Sequence, residues 1–233
     1  MLGKLFGLGL GPGDPELVTV KAVRILKSVS AVAFPILEGK DSFARSIADQ
    51  YIPKEIDEIS IVVPMTQDRH PAQKAYDKAA KEISKILDRG KDVACLCEGD
   101  PFFYGSFMYI FARLSKMYEV EIIPGVTSVT ACAAAAKMPL LARNEHLTVI
   151  PGTLEPEDLR SRILNADAVV IMKVGRHLDK IKKVLEEVEL SSEATYVEYA
   201  SLPAQQVLKL INAPKTAPYF SMILVAKGAD PWL

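Results

Sequence analysis

Three glycine-bearing loops hold the residue types in this chain that are best suited to chemistry. The first runs from Gly7 to Asp14, has glycine at every second position up to Gly13, and contains a proline. The second spans Glu98 to Ser106 and includes Gly-Asp-Pro, and the third is Pro124-Gly125-Val126-Thr127-Ser128. Glycine has no Cβ, so such loops let a ligand approach bare backbone. Each loop alone is typical of an ordinary turn or helix cap, but together they indicate a ligand site.

The first loop departs from the glycine patterns that bind phosphates. A dinucleotide fingerprint begun at Gly7 has Pro12 in place of its third glycine, and one begun at Gly9 has Asp14 there. An aspartate at a helix N-terminus would repel a pyrophosphate. The segment Gly90-Lys91-Asp92 does not complete a P-loop either. The sequence therefore predicts a ligand other than a phosphate, which argues against a nucleotide-dependent oxidoreductase.

Predicted strands precede all three loops, and predicted helices follow them. The predicted elements of the first half are strands 4–8, 31–34, 56–63, 92–97 and 120–123 and helices 16–27, 42–50, 71–88 and 104–116. Those of the second half are strands 146–150, 167–172, 195–198 and 219–225 and helices 131–136, 158–163 and 178–188. This alternation predicts an α/β fold of two domains, residues 1–117 and 118–233, with mainly parallel or mixed sheets. Open α/β sheets bind ligands where the three loops lie, at the carboxyl ends of strands.

Composition excludes several classes of function. The 233 residues are 49% apolar and carry 28 basic against 29 acidic side chains, for a net charge of -1. This balance predicts neither a nucleic-acid nor a membrane partner, and no apolar run approaches the ~20 residues of a spanning helix. We expect a cytoplasmic protein. The three cysteines and three histidines have no metal-binding spacing, so we predict no metal site; the histidines are His70, His146 and His177. We interpret the cysteines as core residues: Cys95, Cys97 and Cys132.

In combination the loops resemble the tetrapyrrole methylases, cobalamin- and sirohaem-pathway enzymes that transfer a methyl group from S-adenosylmethionine. The resemblance covers the whole chain, through the segments GLGPGDPELVTVKAVRIL, EGDPFFYGS, PGVTSVTACAAAA, VVIMKV and YVEYASLPAQQV. Phe34-Pro35 and the segments 41–47 and 63–71 are similar to the branch that methylates carbon 20 of precorrin-2 or of cobalt-factor II. The resemblance implies the tetrapyrrole methylase fold, with the cofactor in the cleft between two domains, and a homodimer.

The resemblance also implies a set of cofactor contacts. They are Pro12, Glu98, Gly99, Asp100, Phe103, Thr127, Ser128, Met172 and Ala200. Glu98 departs from the family's Gly-Gly-Asp-Pro, and a glutamate serves there only with a negative φ and an outward-turned carboxylate. The carboxylate of Asp100 suits the cationic end of S-adenosylmethionine, and an apolar wall at Met172 suits its adenine. Without the resemblance, Met172 would be interpreted as a core methionine.

The rest of the first loop is implied to face the tetrapyrrole. The predicted substrate contacts are Gly11, Gly13, Phe34, Arg45, Arg69, His70 and Tyr104. The basic side chains among them, and Arg143, could pair with the acetates and propionates of the substrate, although a solvated surface position explains each equally well. His70 is also a candidate contact to a cobalt ion carried by the substrate.

Methyl transfer from a sulfonium needs alignment and exclusion of water more than side-chain chemistry. We expect direct displacement by C20, followed by loss of the C20 proton. Asp14 is a candidate base for that proton, and it is explained at least as well as the N-cap of the following helix. Two alternatives stay open. One is methylation of another ring carbon or another substrate, and the other is a noncatalytic tetrapyrrole carrier, which has no need of the cofactor loops.

Overall fold

The computed structural model describes residues 1–64 and 69–228, with only the backbone at residue 69. The chain forms two compact units, Met1–Thr127 and Ser128–Leu233. This division lies later than the boundary predicted after residue 117. The physical reason is that strand Val120–Ile123 pairs in parallel with strand Leu5–Gly9 and so belongs to the first sheet.

The first unit is built on a five-stranded sheet in the order β3-β2-β4-β1-β5. The strands are β1 Leu5–Gly9, β2 Ala31–Leu37, β3 Asp57–Val63, β4 Val93–Cys97 and β5 Val120–Ile123. The helices are α1 Val20–Leu26, α2 Phe43–Ala48, α3 Arg69–Leu87 and α4 Phe107–Leu114. All its strand pairs are parallel. β1 and β4 are buried at every residue, as expected for parallel strands covered on both faces.

Helices cover this sheet on both sides. Phe6 and Leu8 pack with α1 and α2, whereas Leu5, Cys95 and Cys97 pack with α3 and α4. The alternation follows from the period of two along a strand. Burial raises the pKa of the Cys95 thiol to about 12, so this thiol stays neutral and behaves as a small core residue.

The predicted helix 16–27 is wrong in its first part. The chain forms a single 3₁₀ turn at Pro15–Leu17 and is extended at Val18, and α1 starts only after Thr19. The hydroxyl of Thr19 accepts a hydrogen bond of 3.2 Å from the amide of Ala22 and is the true N-cap of α1. Asp14 therefore caps the short 3₁₀ turn instead, where its Oδ1 lies 2.8 Å from the Glu16 nitrogen.

The second unit holds a mixed five-stranded sheet in the order β6-β7-β10-β8-β9. The strands are β6 Leu147–Pro151, β7 Ala168–Met172, β8 Ala194–Glu198, β9 Gln206–Lys209 and β10 Ser221–Ala226. The helices are α5 Ser128–Ala136, α6 Pro156–Leu164 and α7 Leu178–Glu187. β6 and β7 are parallel, and the remaining pairs are antiparallel. α6 and α7 pack on one face of this sheet and α5 on the other.

The predicted fold class, α/β with mainly parallel or mixed sheets, is confirmed. The sequence gives no hint of β9, an exposed edge strand with too few apolar residues to show a pattern. Within residues 1–64 and 69–228, no helix combines the length and the apolar character needed to cross a bilayer. The same residues contain no cluster of three metal-ligating side chains.

Candidate functional site

The three glycine loops meet at one edge of the first sheet. They follow β1, β4 and β5, and β1 lies between the other two strands. The amide of Leu10 donates a hydrogen bond of 2.9 Å to the carbonyl of Cys97. Beyond it, Gly11 and Gly99 exchange two backbone hydrogen bonds, of 3.2 Å and 2.7 Å, in an isolated antiparallel bridge. The first and second loops therefore form one continuous backbone surface.

Glycine is required where the third loop joins the other two. A Cβ on Gly125 would lie 2.1 Å from the carbonyl oxygen of Gly99, and one on Gly9 would lie 2.4 Å from the Gly125 nitrogen. By contrast, Gly99 has φ +63° and nothing within 4 Å of its Cβ position. The backbone is tightly packed at Gly9 and Gly125, whereas the space beside Gly99 is open. This arrangement fits a ligand that contacts main chain.

Asp100 ties the second loop to the third. Its Oδ1 accepts a hydrogen bond of 2.9 Å from the Phe102 amide, and its Oδ2 accepts one of 3.1 Å from the Gly125 amide. Both carboxylate oxygens are therefore used to hold backbone. Hydrogen bonds to an ionised acceptor are stronger than neutral ones, so this carboxylate is a main determinant of the loop geometry. Its predicted contact with the cationic end of the cofactor stays a prediction.

Glu98 differs from what its sequence position suggests. Its φ is negative, since it is not among the residues of the left-handed region, but its half-buried carboxyl turns inward. Two backbone amides lie close enough to lower the pKa of this carboxyl, its own and that of Ala44 in the first turn of α2. A cofactor contact through the Glu98 backbone requires an outward carboxylate, so this burial weakens Glu98 as a cofactor residue, and its role stays a prediction. The amides of a helix N-terminus favour a nearby negative charge, which is the sense of the contribution from Ala44.

Burial raises the pKa of the Glu98 carboxyl above its usual value of 4.5, and the two nearby backbone amides partly offset this effect. A carboxyl whose pKa is higher in the folded than in the unfolded chain holds its proton more tightly when folded. Its contribution to stability is present below the unfolded pKa and is lost as the pH rises through the folded pKa. We expect the melting temperature of Glu98→Gln to rise relative to that of wild type as the pH is raised above 4.5. Thermal melts across this range test it, and a difference that does not change with pH would contradict it.

The aromatic end of the second loop faces solvent. Phe103 and Tyr104 are 36% and 45% exposed, and their rings pack edge to face with centroids 5.4 Å apart. Tyr104 has φ +56°, a conformation that a residue with a Cβ adopts only under strain. In the first loop Pro12 is half-buried, while Gly11 and Gly13 are buried. An exposed aromatic residue with a strained backbone, such as Tyr104, is typical of ligand sites.

The second unit brings two predicted cofactor residues into one apolar cluster. Met172, at the end of β7, and Ala200, just after β8, both pack with α5. Left-handed residues flank them: Lys173 has φ +55°, and Tyr199 and Ser201 have φ +50° and +71°. Such strain is stored at functional sites more often than elsewhere. Ser128 is the first residue of α5 and Thr127 comes directly before it.

The predicted substrate residues differ in their exposure and in their side-chain partners. Phe34 is only 5% exposed and packs beneath α1 and α2, so its ring has little access to a ligand. Arg45 lies on α2, not in a loop. Its Nε and Nη1 each donate a hydrogen bond of 2.8 Å, to Glu58 and Asp49. These two carboxylates already neutralise the guanidinium, which weakens the case for a substrate contact at this residue.

The remaining basic candidates lie on other elements of the two units. His70 is exposed in the first turn of α3, and Arg143 is exposed in a turn of the second unit with φ +48°. The side chain of Arg69 lies outside the described residues. Sequence reasoning missed Ser42, whose hydroxyl accepts from the Arg45 amide and donates to the carbonyl of Pro35. A serine just before an apolar helix start was the available signal for this N-cap.

Fold and loops define a two-unit α/β protein with a backbone-lined ligand surface at the carboxyl edge of its parallel sheet. The family model for tetrapyrrole (corrin/porphyrin) methylases matches residues 4–211. The chain belongs to this family, as the loop motifs predict.

Curated relatives match almost the whole chain. The precorrin-2 C(20)-methyltransferase of a Sinorhizobium species is 36% identical, over 98% of this chain and 97% of that protein. The cobalt-precorrin-2 C(20)-methyltransferase of Salmonella typhimurium is 34% identical, over 97% of this chain and 98% of that protein. The cobalamin biosynthesis protein CobIJ of Mycobacterium bovis is 42% identical over 97% of this chain but only 46% of its own length. The chain therefore spans about half of that relative.

Solved structures share the fold. The crystal structure of a cobalt precorrin-4 methyltransferase matches with a TM-score of 0.75 at 21% identity, over 98% of this chain and 96% of that one. The uroporphyrin-III C-methyltransferase of Thermus thermophilus, complexed with S-adenyl homocysteine, matches with a TM-score of 0.68 at 23% identity. That match covers 97% of this chain and 92% of the Thermus chain. At these identities the likeness concerns the fold.

Proposed function

We propose that this chain is an S-adenosylmethionine-dependent methyltransferase that methylates C20 of precorrin-2 or of cobalt-factor II. The observation that carries the proposal is the 34% and 36% identity to two C(20)-methyltransferases over nearly the full length of both partners. The backbone surface formed by the three glycine loops supports it, because methyl transfer needs a positioned donor and no side-chain nucleophile. The proposal does not distinguish the metal-free from the cobalt-bearing substrate.

The loops suit the donor's amino acid end. Backbone groups around Gly99, beside open space, can hydrogen-bond an ammonium and a carboxylate, and Asp100 keeps them in place. In the second unit the apolar cluster of Met172 and Ala200 offers a wall for adenine. Pro12, Phe103, Thr127 and Ser128 stay proposed cofactor contacts.

When bound, the donor supplies a methyl group on a sulfonium leaving group. C20 of the tetrapyrrole forms the new carbon–carbon bond as the methyl–sulfur bond breaks, and the sulfur leaves neutral. The C20 proton then passes to a base or to water. The chain's task is to align C20 with the breaking bond and to keep water out. Gly11, Gly13, Tyr104 and the basic side chains are the proposed tetrapyrrole contacts.

The deciding experiment uses methyl-labelled S-adenosylmethionine with precorrin-2 or cobalt-factor II, and NMR to locate the methyl group. Label at C20 supports the proposal and identifies the substrate form. Label at another ring carbon would instead place the chain among the other tetrapyrrole methylases, such as the uroporphyrinogen-III enzymes that also resemble it. A protein that binds a tetrapyrrole in calorimetry but not S-adenosylhomocysteine would be a carrier.

Asp14 is the proposed base for the C20 proton, although its Oδ1 also caps the 3₁₀ turn. If both roles hold, Asp14→Asn should lower turnover about tenfold or more and shift its pH profile, while melting changes little because asparagine also caps well. Steady-state rates across pH, with melts as the control, test this. Full turnover with an unchanged pH profile would remove Asp14 from the mechanism.

We further propose a cytoplasmic homodimer, following the family resemblance. The nearly balanced charge supports a protein without a nucleic-acid partner. Light scattering on the purified protein measures the oligomeric state. A monomer at micromolar concentration would contradict the dimer without affecting the assignment of the reaction.

A further inference from the structure

The loop 199–205, which joins β8 to β9 in the second unit, is closed by the side chain of its last residue. The Oε1 of Gln205 accepts a hydrogen bond of 2.8 Å from the amide of Ser201. Two backbone hydrogen bonds of 2.9 Å lie within the same loop, from the Leu202 amide to the Tyr199 carbonyl and from the Gln205 amide to the Leu202 carbonyl. The Gln205 side chain thus ties the end of the loop back to its third residue.

The two residues that flank Ala200 in this loop both have a left-handed backbone. Tyr199 has φ +50° and Ser201 has φ +71°. Residues with a Cβ keep this conformation only where their surroundings hold it. The Tyr199 amide donates a hydrogen bond of 2.9 Å to the carbonyl of Phe220, just before β10, and the Ser201 amide donates to Gln205. Ala200 is therefore held from one side by the neighbouring strand and from the other by a side chain.

This turn sets Ala200 beside the other proposed adenine contact. β7 and β8 are each antiparallel to β10, so their carboxyl ends lie at the same edge of the second sheet. Met172 ends β7, Ala200 follows β8, and both belong to the apolar cluster that packs with α5. Ala200 is only 9% exposed, whereas Gln205 is a solvent-exposed side chain. Gln205 consequently acts on Ala200 through the backbone of the loop.

We propose that Gln205 is a positioning residue for the methyl donor, because its carbonyl oxygen holds the strained turn that sets Ala200 against the adenosyl part. Without this acceptor the backbone at Ser201 relaxes and Ala200 shifts, so the adenosyl part loses its fit. The amino acid end of the donor, proposed to lie at Gly99, is unaffected. The inference rests on the proposed function, because Ala200 is taken as a donor contact.

Calorimetric titration tests this role with two probes, S-adenosylhomocysteine and methylthioadenosine, which carries the adenosyl part without the amino acid end. Gln205→Ala should raise the Kd of both probes by the same factor, about fivefold, as expected for the loss of one hydrogen bond. In steady-state assays the KM for S-adenosylmethionine should rise likewise, while the KM for the tetrapyrrole and kcat at saturating donor stay as in wild type. Gln205→Glu keeps an acceptor at the same distance and should retain wild-type affinity.

Glu145→Ala is the matched control. The Oε2 of Glu145 likewise accepts a backbone hydrogen bond, of 2.6 Å from the Ala142 amide, in the turn before β6. Since β6 is parallel to β7, this turn lies at the opposite edge of the second sheet from Ala200. Both alanine variants should melt slightly earlier than wild type, and only Gln205→Ala should bind methylthioadenosine more weakly. Equal losses of affinity would mean that Gln205 acts through the stability of the unit, which would overturn the inference.

The outcomes separate the two proposals. If wild type binds S-adenosylhomocysteine and Gln205→Ala binds methylthioadenosine equally well, the positioning role is overturned and the proposed function stands. Absence of S-adenosylhomocysteine binding to the wild type would overturn both. A Gln205→Glu variant as weak as Gln205→Ala would show that the acceptor oxygen is not what holds the turn, and would remove Gln205 from this role.

Discussion

Gly125→Ala should lower the melting temperature by about 3–10 °C and reduce methyl transfer about a hundredfold or more. The added Cβ would lie 2.1 Å from the Gly99 carbonyl oxygen and 2.8 Å from Gly9 backbone. Backbone cannot rotate away as a side chain can, so one of the loops must move. A displacement of about 1 Å at a site that works by alignment is enough for the kinetic loss.

Calorimetric titration with S-adenosylhomocysteine and thermal melts measure this effect directly. Gly39→Ala is the control, because Gly39 has φ +72° but nothing within 4 Å of its Cβ position. That substitution brings conformational strain of about 1–2 kcal/mol and no clash, so donor affinity should not change. Wild-type melting and donor affinity in Gly125→Ala would show that the loops do not need this close approach.

The second large effect is expected at Asp100. Asp100→Ala leaves the amides of Phe102 and Gly125 without their acceptor, and each is a hydrogen bond to a charged group. We expect donor affinity to fall about a hundredfold, since the second and third loops lose their connection. The donor affinity of Asp100→Asn should lie between those of wild type and Asp100→Ala. In the asparagine one carboxylate oxygen is replaced by an NH₂ group, which faces a backbone N–H and cannot accept its hydrogen bond.

Asp92→Ala is the matched control for Asp100. The Oδ1 of Asp92 likewise accepts a backbone hydrogen bond of 2.8 Å, from the Lys4 amide, but before β4 instead of after it. Both variants should lose stability, and only Asp100→Ala should lose affinity for S-adenosylhomocysteine. Equal losses of affinity in the two would mean that Asp100 acts through global stability.

The parts of the fold carried by local patterns could be predicted. β5 was located to the residue, and the three loops fall at the carboxyl ends of adjacent parallel strands as expected. Apolar runs bounded by turn residues are sufficient for that. The start of α1 could not be predicted, because Asp14 and Thr19 are both good caps and the choice depends on how the chain leaves the first loop.

The side chains of the site were harder to predict than the backbone. The raised pKa of Glu98 comes from its burial by parts of the chain that are distant in sequence, among them α2 with Ala44. The pairing of Arg45 with Glu58 likewise depends on β3, and no local pattern reveals it. Contacts of this kind follow from topology, and a motif read along the chain does not contain them.

Four left-handed residues mark the neighbourhood of predicted cofactor contacts: Tyr104, Lys173, Tyr199 and Ser201. Of the other non-glycine cases in the described ranges, Lys137 and Glu189 simply follow the ends of α5 and α7, where this conformation is ordinary. Arg143, in a turn of the second unit, lies outside those motifs. Four of the five left-handed residues away from helix ends therefore fall in the segments that carry the family resemblance.

The position of β10 fixes the order in which the chain can fold during synthesis. The first sheet is complete once β5 has emerged from the ribosome, so that unit can form early. In the second sheet β10 lies between β7 and β8 and pairs with both. Neither strand can make this pairing before Ser221–Ala226 has been translated. Until then the apolar faces of α6 and α7 have no finished sheet to cover. A ribosome that stalls before residue 221 would thus leave a nascent chain whose second half is prone to aggregation.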